Sequence, residues 1–111
     1  MASERLFIYG SLQPGGPNTQ VIDAIGGDWR PATVRGRLVQ SGWGADIGYP
    51  GLVHDERGDE IAGHVFSSPN LSTKWAELDD FEGVEYERIV TRVTLSGGEQ
   101  VHAHVYVLRA E

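Results

Sequence analysis

The sequence contains no cysteine among its 111 residues, and this absence excludes several kinds of chemistry at once. Disulfide bonds, thiolate metal sites, iron–sulfur clusters and thiol nucleophiles all depend on cysteine. Long apolar runs are also missing, since none approaches the ~20 residues that a membrane-spanning helix needs. Residues 1–5 lack the basic start that precedes the apolar stretch of a secretory signal. We therefore expect a cytoplasmic protein that does not interact with membranes.

Basic residues are scarce in this sequence. Nine Lys and Arg stand against 16 Asp and Glu, which gives a net charge of -7. That average charge repels a phosphate backbone, so nucleic acid is not expected as a partner. A chain of 111 residues is expected to form one domain, residues 1–111, because half that length buries too little apolar surface for a stable core.

Hydrophobic periodicity predicts eight elements in the order β-α-β-β-β-α-β-β. The predicted strands cover 5–9, 32–40, 52–54, 61–66, 86–95 and 101–108. A short helix is predicted after Asn18, ending at Ile25, and a longer one begins at Ser68–Pro69 and stops at Gly83. Several hairpins combined with two helices indicate an α+β fold with a curved or barrel-like sheet.

The segment 7–12, FIYGSL, is the first candidate for chemistry. Gly10 follows a buried strand directly, and a glycine there lets backbone N–H groups converge on an anion or a polarised carbonyl. The glycine spacing matches neither the P-loop nor the dinucleotide fingerprint. Ser11 lacks the Gly-x-Ser-x-Gly turn of a nucleophilic serine. On these residues alone, a tight turn at the strand exit is the simpler interpretation.

The end of the second predicted helix carries several carboxylates, including Asp79, Asp80 and Glu82. The helix dipole disfavours anions at a C-terminus, so this placement costs some stability. A carboxyl turned inward beside Phe81 would have a raised pKa, which is the property that a general acid or base needs near neutral pH. Glu82 is therefore the candidate acid/base, and a solvated acidic turn is the alternative.

The histidines offer a possible metal site. His102 and His104 are two residues apart on a predicted strand and therefore share a face. A metal needs three or four ligands, so His54 and His64 would have to join them. Their spacing matches no known signature, and ordinary polar histidines on strands are the simpler interpretation.

Seven motifs follow one another along nearly the whole chain. They are FIYGSL at 7–12, VRGRL at 34–38, GYPGLV at 48–53, IAGHVF at 61–66, LDDFEG at 78–83, Tyr86-x-Arg88 and an aromatic strand ending in Tyr106. In this order they resemble the gamma-glutamylcyclotransferase-like family, including its gamma-glutamylamine cyclotransferase branch. The resemblance implies an α+β fold, a small mixed β-barrel with flanking short helices and a site at one mouth.

The resemblance also implies a reaction. The small-molecule substrate would carry a gamma-glutamyl or similar aminoacyl amide group. Its free α-amine would attack its own side-chain amide carbonyl, closing 5-oxoproline and releasing an amine. The resemblance implies no cofactor and no metal.

The resemblance assigns roles by position. Glu82 would be the general base for the attacking amine and then the acid for the leaving group. The implied substrate-binding residues are Tyr9, Gly10, Ser11, Leu12, Tyr86 and Tyr106. The backbone of residues 9–12 would hold the substrate's polar end, and the two later tyrosines would line the pocket unless they are only core aromatics. Arg88 would fix the acidic turn or make a surface ion pair.

Two further functions remain open at this point. The same barrel can serve as a binding module that holds a small carboxylate or amide without turnover, because a fold does not determine a function. A metal-binding protein that uses His102 and His104 is the other alternative.

Overall fold

A computed structural model of the chain describes residues 4–9, 19–39 and 51–108. The elements in chain order are β1 (Glu4–Ile8), α1 (Thr19–Asp23), β2 (Asp28–Val39), β3 (Gly51–His54), β4 (Asp59–Ser68), a 3₁₀ turn (Leu71–Thr73), α2 (Trp75–Glu82), β5 (Tyr86–Leu95) and β6 (Gln100–Leu108). The predicted order of strands and helices is therefore confirmed. No helix in these described ranges combines the length and apolar character needed to cross a membrane.

Five strands close into a mixed barrel. The order is β2-β4-β1-β6-β5, and β5 returns to β2 through the pairs Ala32–Leu95 and Thr33–Thr94. Strands β1 and β6 are parallel, whereas the other neighbours are antiparallel. Strand β3 pairs with the second half of β2, outside this ring. The predicted small mixed barrel with short helices is thus confirmed.

Side-chain alternation along the strands divides the apolar residues into two cores. One core is built from strand residues alone and fills the barrel: Phe7, Ala32, Val34, Leu52, Val65, Val93, Leu95, Ala103, Val105 and Val107. The other lies between the barrel and the helices: Leu6, Ile8, Ile22, Ile25, Phe66, Leu71, Leu78, Tyr86 and Tyr106. The outer core holds α2 against the barrel, and α2 ends at Glu82.

Strand β2 begins at Asp28, four residues before the predicted start. Its first part pairs with β4, from Asp28 opposite Ser67 to Pro31 opposite His64. Pro31 donates no backbone hydrogen bond and interrupts the alternating pattern. The alternating pattern therefore does not predict a strand before Ala32.

Helix α2 begins at Trp75, later than the predicted start at Ser68–Pro69. Ser68 is the last residue of β4, and its hydroxyl accepts a hydrogen bond from the Asn70 N–H at 3.0 Å. The same hydroxyl donates to the Gly26 carbonyl at 2.7 Å. This serine therefore caps the turn before the 3₁₀ segment and not α2 itself.

The C-terminal end of α2 is at the predicted place. Gly83 follows the last helical residue with a φ of 86°, a conformation that favours glycine, and its N–H donates to the Asp79 carbonyl at 3.0 Å. Glu82 therefore occupies the last helical position, four residues before β5 begins at Tyr86.

Candidate active site

The topology brings the four predicted site residues that lie in the described ranges to one end of the barrel. Tyr9 follows β1, and Tyr106 lies near the end of β6, which runs parallel to β1. Tyr86 starts the antiparallel strand β5, opposite Leu108. Glu82 reaches the same end because α2 stops just before β5.

Glu82 carries the carboxyl group at the centre of this cluster. Burial raises its pKa from the ordinary value of 4.5 to about 7. The glutamate's charge acts in turn on three tyrosines, whose pKa values are raised mainly by burial and further by that charge: Tyr9, Tyr86 and Tyr106. The four side chains therefore interact electrostatically, and Glu82 is the member that exchanges a proton near neutral pH.

Tyr9 connects three strands at this end of the barrel. Its hydroxyl donates to the Tyr106 carbonyl at 2.7 Å and accepts a hydrogen bond from the Leu52 N–H at 3.1 Å. Burial holds the pKa of Tyr9 well above its ordinary value of 10.0. The Tyr9 side chain is therefore a protonated structural group that joins β1, β3 and β6.

Tyr86 and Tyr106 belong to the outer core and lie near enough to Glu82 for its charge to act on them. Their exposed fractions are 7% and 4%. The Tyr106 hydroxyl donates to Asp79 Oδ1 at 2.7 Å, on the helix that carries Glu82. Both tyrosines are thus core aromatics, and their implied contact with a substrate stays a prediction.

Arg88 makes an ion pair with Asp79 of the acidic helix, a contact that agrees with both of its expected roles. Its Nε lies 3.2 Å from Asp79 Oδ1, and its guanidinium carbon lies 4.2 Å from the centre of the Trp75 ring. The Arg88 side chain is only 24% exposed. The Asp79 side chain is 46% exposed, so the ion pair is covered by the Trp75 ring on its Arg88 side and open to solvent on its Asp79 side.

The implied substrate-holding loop falls mainly outside the described residues. Gly10, Ser11 and Leu12 are not in the described ranges, and neither is the segment 48–50. Tyr9 is the member of the loop that the structure describes, and it lies at the barrel end beside Glu82. The role of the loop therefore stays a prediction.

The histidines lie in different surroundings. His54 Nε2 is 3.1 Å from Thr91 Oγ1, and the His104 ring lies 4.3 Å from the Trp75 ring. His64 meets Trp29 edge-on, with ring centres 6.1 Å apart. Across residues 4–9, 19–39 and 51–108, no three His, Asp or Glu side chains come together as a possible metal site.

Sequence reasoning missed the contacts that hold this site together. Asp79 was identified as one of several carboxylates at the helix end, but its hydrogen bond with Tyr106 was not predicted. Trp75 lies within the second predicted helix, and the sequence does not indicate that its Nε1 donates to Glu4 Oε2 at 2.8 Å. Leu52 was noted as part of a short strand, whereas its backbone N–H holds Tyr9.

Comparison with known protein structures shows the same fold in several proteins. A protein of Arabidopsis thaliana is 27% identical, with a TM-score of 0.73 over 97% of this chain and 70% of that one. An AIG2-like protein from Mus musculus is 23% identical, with a TM-score of 0.73 over 100% of this chain and 80% of that one. A yeast gamma-glutamyl cyclotransferase specific to glutathione is 15% identical, with a TM-score of 0.65 over 96% of this chain and 69% of that one.

The family comparison covers almost the whole chain. The family described as "Gamma-glutamyl cyclotransferase, AIG2-like" matches residues 6–111. A search of curated protein sequences finds no match. The match includes β1 from Leu6 onward, both helices and all the remaining strands, together with Glu82, Tyr9, Tyr86 and Tyr106. The chain belongs to the AIG2-like gamma-glutamyl cyclotransferase family.

Proposed function

We propose that this protein releases an amine from a gamma-glutamyl amide by closing the glutamyl group into 5-oxoproline, with Glu82 as the general acid/base. One observation carries this proposal: a partly buried carboxyl with a pKa of about 7, whose charge acts on Tyr9 and Tyr86 at one end of the barrel. Family membership supplies the substrate class, a small gamma-glutamyl compound.

The proposed reaction needs one proton to move twice. The α-amine nitrogen of the substrate forms a bond to the side-chain amide carbon, and the Glu82 carboxylate takes a proton from that nitrogen. The bond from the amide carbon to the leaving nitrogen then breaks, and Glu82 returns the proton to the departing amine. The substrate splits into 5-oxoproline and a free amine, so no water is consumed and no redox cofactor takes part.

The properties of Glu82 suit both proton transfers. A carboxyl with a pKa of about 7 is deprotonated often enough to accept a proton and acidic enough to return it. The reacting groups belong to one molecule, so a pocket that folds the substrate correctly supplies much of the rate acceleration. Tyr9 and Tyr86, with raised pKa values, stay protonated during this exchange.

The remaining parts of the site carry proposed binding roles. The backbone N–H groups of residues 9–12 would hold the substrate carboxylate or the oxyanion of the tetrahedral intermediate. Tyr86 and Tyr106 would line the pocket around the glutamyl chain. Arg88 acts at a distance from the substrate, through Asp79 on α2.

The proposal is tested by mass spectrometry on a panel of gamma-glutamyl amines that includes gamma-glutamyl-lysine and glutathione. Wild type is expected to release 5-oxoproline together with the amine. Glu82→Gln is expected to keep the fold and to lower turnover by about 10²-fold or more. Glu85→Gln, which removes the same charge from an exposed position, serves as the matched control and is expected to retain activity.

Two results would contradict the proposal in different ways. Full activity of Glu82→Gln would show that another group moves the proton. Saturable binding of a panel member by the folded wild type, with no product, would favour the non-catalytic binding module.

A further inference from the structure

Helix α2 depends on tertiary contacts for its position. It has eight residues, fewer than an isolated helix needs to be stable in water. Within α2, which the structure describes completely, Leu78 is the one fully buried side chain. The polar contacts of the helix therefore contribute to fixing where its last residue, Glu82, lies.

Asp79 makes two of these polar contacts. It lies three residues before Glu82 and so on the same side of the helix, one turn earlier. Its Oδ1 accepts the Tyr106 hydroxyl at 2.7 Å and lies 3.2 Å from Arg88 Nε. This one carboxylate thus joins the last turns of α2 to strands β5 and β6.

The first turn of α2 is held by a second set of contacts. Trp75 Nε1 donates to Glu4 Oε2 on β1 at 2.8 Å, and the Arg88 guanidinium lies over the Trp75 ring. Arg88 therefore contacts α2 at both Trp75 and Asp79. The helix cannot rotate about its axis without breaking contacts to β1, β5 and β6.

Tyr106 connects the helix contact to the barrel end. Its hydroxyl binds Asp79, while its backbone carbonyl accepts the Tyr9 hydroxyl at 2.7 Å. One residue of β6 therefore sets the positions of both the helix that carries Glu82 and the tyrosine beside it.

We propose that Asp79 is a positioning residue, which holds the last turn of α2 through Tyr106 and Arg88 and so fixes the Glu82 carboxyl beside Tyr9. The expected effect on turnover rests on the proposed function. The expected effect on Glu82 itself rests on the contacts described above and on its raised pKa, and does not depend on turnover.

The test compares three variants of the full chain. Asp79→Asn removes the charge, and Tyr106→Phe removes the hydrogen bond without changing any charge. Asp80→Asn is the matched control, because it removes the same charge from the exposed neighbouring residue of the same helix. NMR of labelled glutamate carboxyls, with the Glu82 signal identified by its loss in Glu82→Gln, gives the pKa of Glu82 without any substrate.

The two positioning variants are expected to admit water to Glu82. Its pKa should then fall from about 7 towards 4.5, by about half a pH unit or more. We expect kcat to fall about tenfold in both variants, because the proton-transfer group is misplaced. In Asp79→Asn, whose altered residue has no proposed contact with the substrate, KM should change less than about twofold. Asp80→Asn should match wild type in both measurements.

The Glu82 pKa in the variants tests the positioning role, and amide cyclisation by wild type tests the proposed function. The positioning role is overturned if the Glu82 pKa in Asp79→Asn and Tyr106→Phe equals that in Asp80→Asn. This holds even if both variants unfold more easily, because a purely structural contact changes the stability of the protein and not the pKa of Glu82. If the Glu82 pKa falls in the two variants and wild type cyclises no amide, the positioning role is supported and the proposed function is refuted. If Asp79→Asn does not fold, Tyr106→Phe decides the question alone.

Discussion

Replacing the proposed acid/base with glutamine is expected to stabilise the protein at alkaline pH. Glu82 has a pKa of about 7 in the folded protein and an ordinary value of 4.5 in the unfolded chain. Below both values the carboxyl is protonated in both states, and it favours neither. Between about pH 4.5 and 7 the unfolded chain releases this proton while the folded protein keeps it, so the unfolding free energy falls across this range and stays at its lower value above 7.

The size of this effect follows from the two pKa values. At about 1.4 kcal/mol per pKa unit, the separation between 4.5 and about 7 corresponds to about 3–4 kcal/mol. Glu82 keeps some solvent access, which reduces the expected effect to about 2 kcal/mol. We compare the unfolding free energies of Glu82→Gln and wild type at two pH values. The difference in favour of Glu82→Gln should be about 2 kcal/mol larger at about pH 8.5 than at about pH 4.5.

Urea unfolding followed by tryptophan fluorescence measures this difference. Trp29 and Trp75 are partly buried and report the loss of the outer core. The control is Glu85→Gln at an exposed position, for which the difference from wild type should stay nearly constant over the same pH range. A difference between Glu82→Gln and wild type that does not change with pH would refute the assignment of a buried, neutral carboxyl in the folded state.

Three further predictions concern the rate and the packing around the site. The value of kcat/KM for the active amide should rise with pH through about 7, because attack requires deprotonated Glu82, and a flat pH–rate profile would contradict this. Leu78→Ala should lower the unfolding free energy by about 2–5 kcal/mol in urea titrations, since Leu78 is only 1% exposed in the outer core, and unchanged stability would contradict the packing. Gly63→Ala should lower the melting temperature, at a cost of about 1–3 kcal/mol, because the added Cβ would collide with the Ile8 carbonyl oxygen, whereas a wild-type melting curve would contradict the close approach.

The elements that the sequence predicted best are those with both periodicity and turn signals. Strand β5 was predicted with its observed bounds, Tyr86–Leu95, because its alternation is continuous and glycine-containing turns lie on both sides. The start of β2 was missed because Pro31 breaks the same pattern. The start of α2 was predicted too early because Ser68 caps the turn at Asn70 and not the helix. A serine hydroxyl can cap either a turn or a helix, and the local sequence does not distinguish the two.

The candidate site could be predicted as a set of residues but not as a set of contacts. The sequence indicates Glu82 as a candidate because it lies at a helix end between Phe81 and Gly83. The bond between Tyr106 and Asp79 joins residues 27 positions apart. Such pairings depend on how the barrel closes, and no local pattern encodes that geometry.

The histidines illustrate the same limit. His102 and His104 share a face of β6, as strand alternation requires. His104 nevertheless packs on Trp75, and burial, with a smaller effect from the Arg88 charge, lowers its pKa. The residues around His104 belong to α2 and β5. The spacing of histidines along one strand therefore does not predict which side chains surround this ring.

The central claim is that Glu82 drives ring closure within the substrate, and product analysis in water enriched in the heavy oxygen isotope tests it most directly. Cyclisation consumes no water, so wild type should yield 5-oxoproline without the heavy isotope and one free amine for each ring formed. Glu82→Gln should yield almost none of either product. Labelled glutamate as the first product would instead show hydrolysis, and unlabelled 5-oxoproline formed equally fast by Glu82→Gln would show that Glu82 does not carry the reaction.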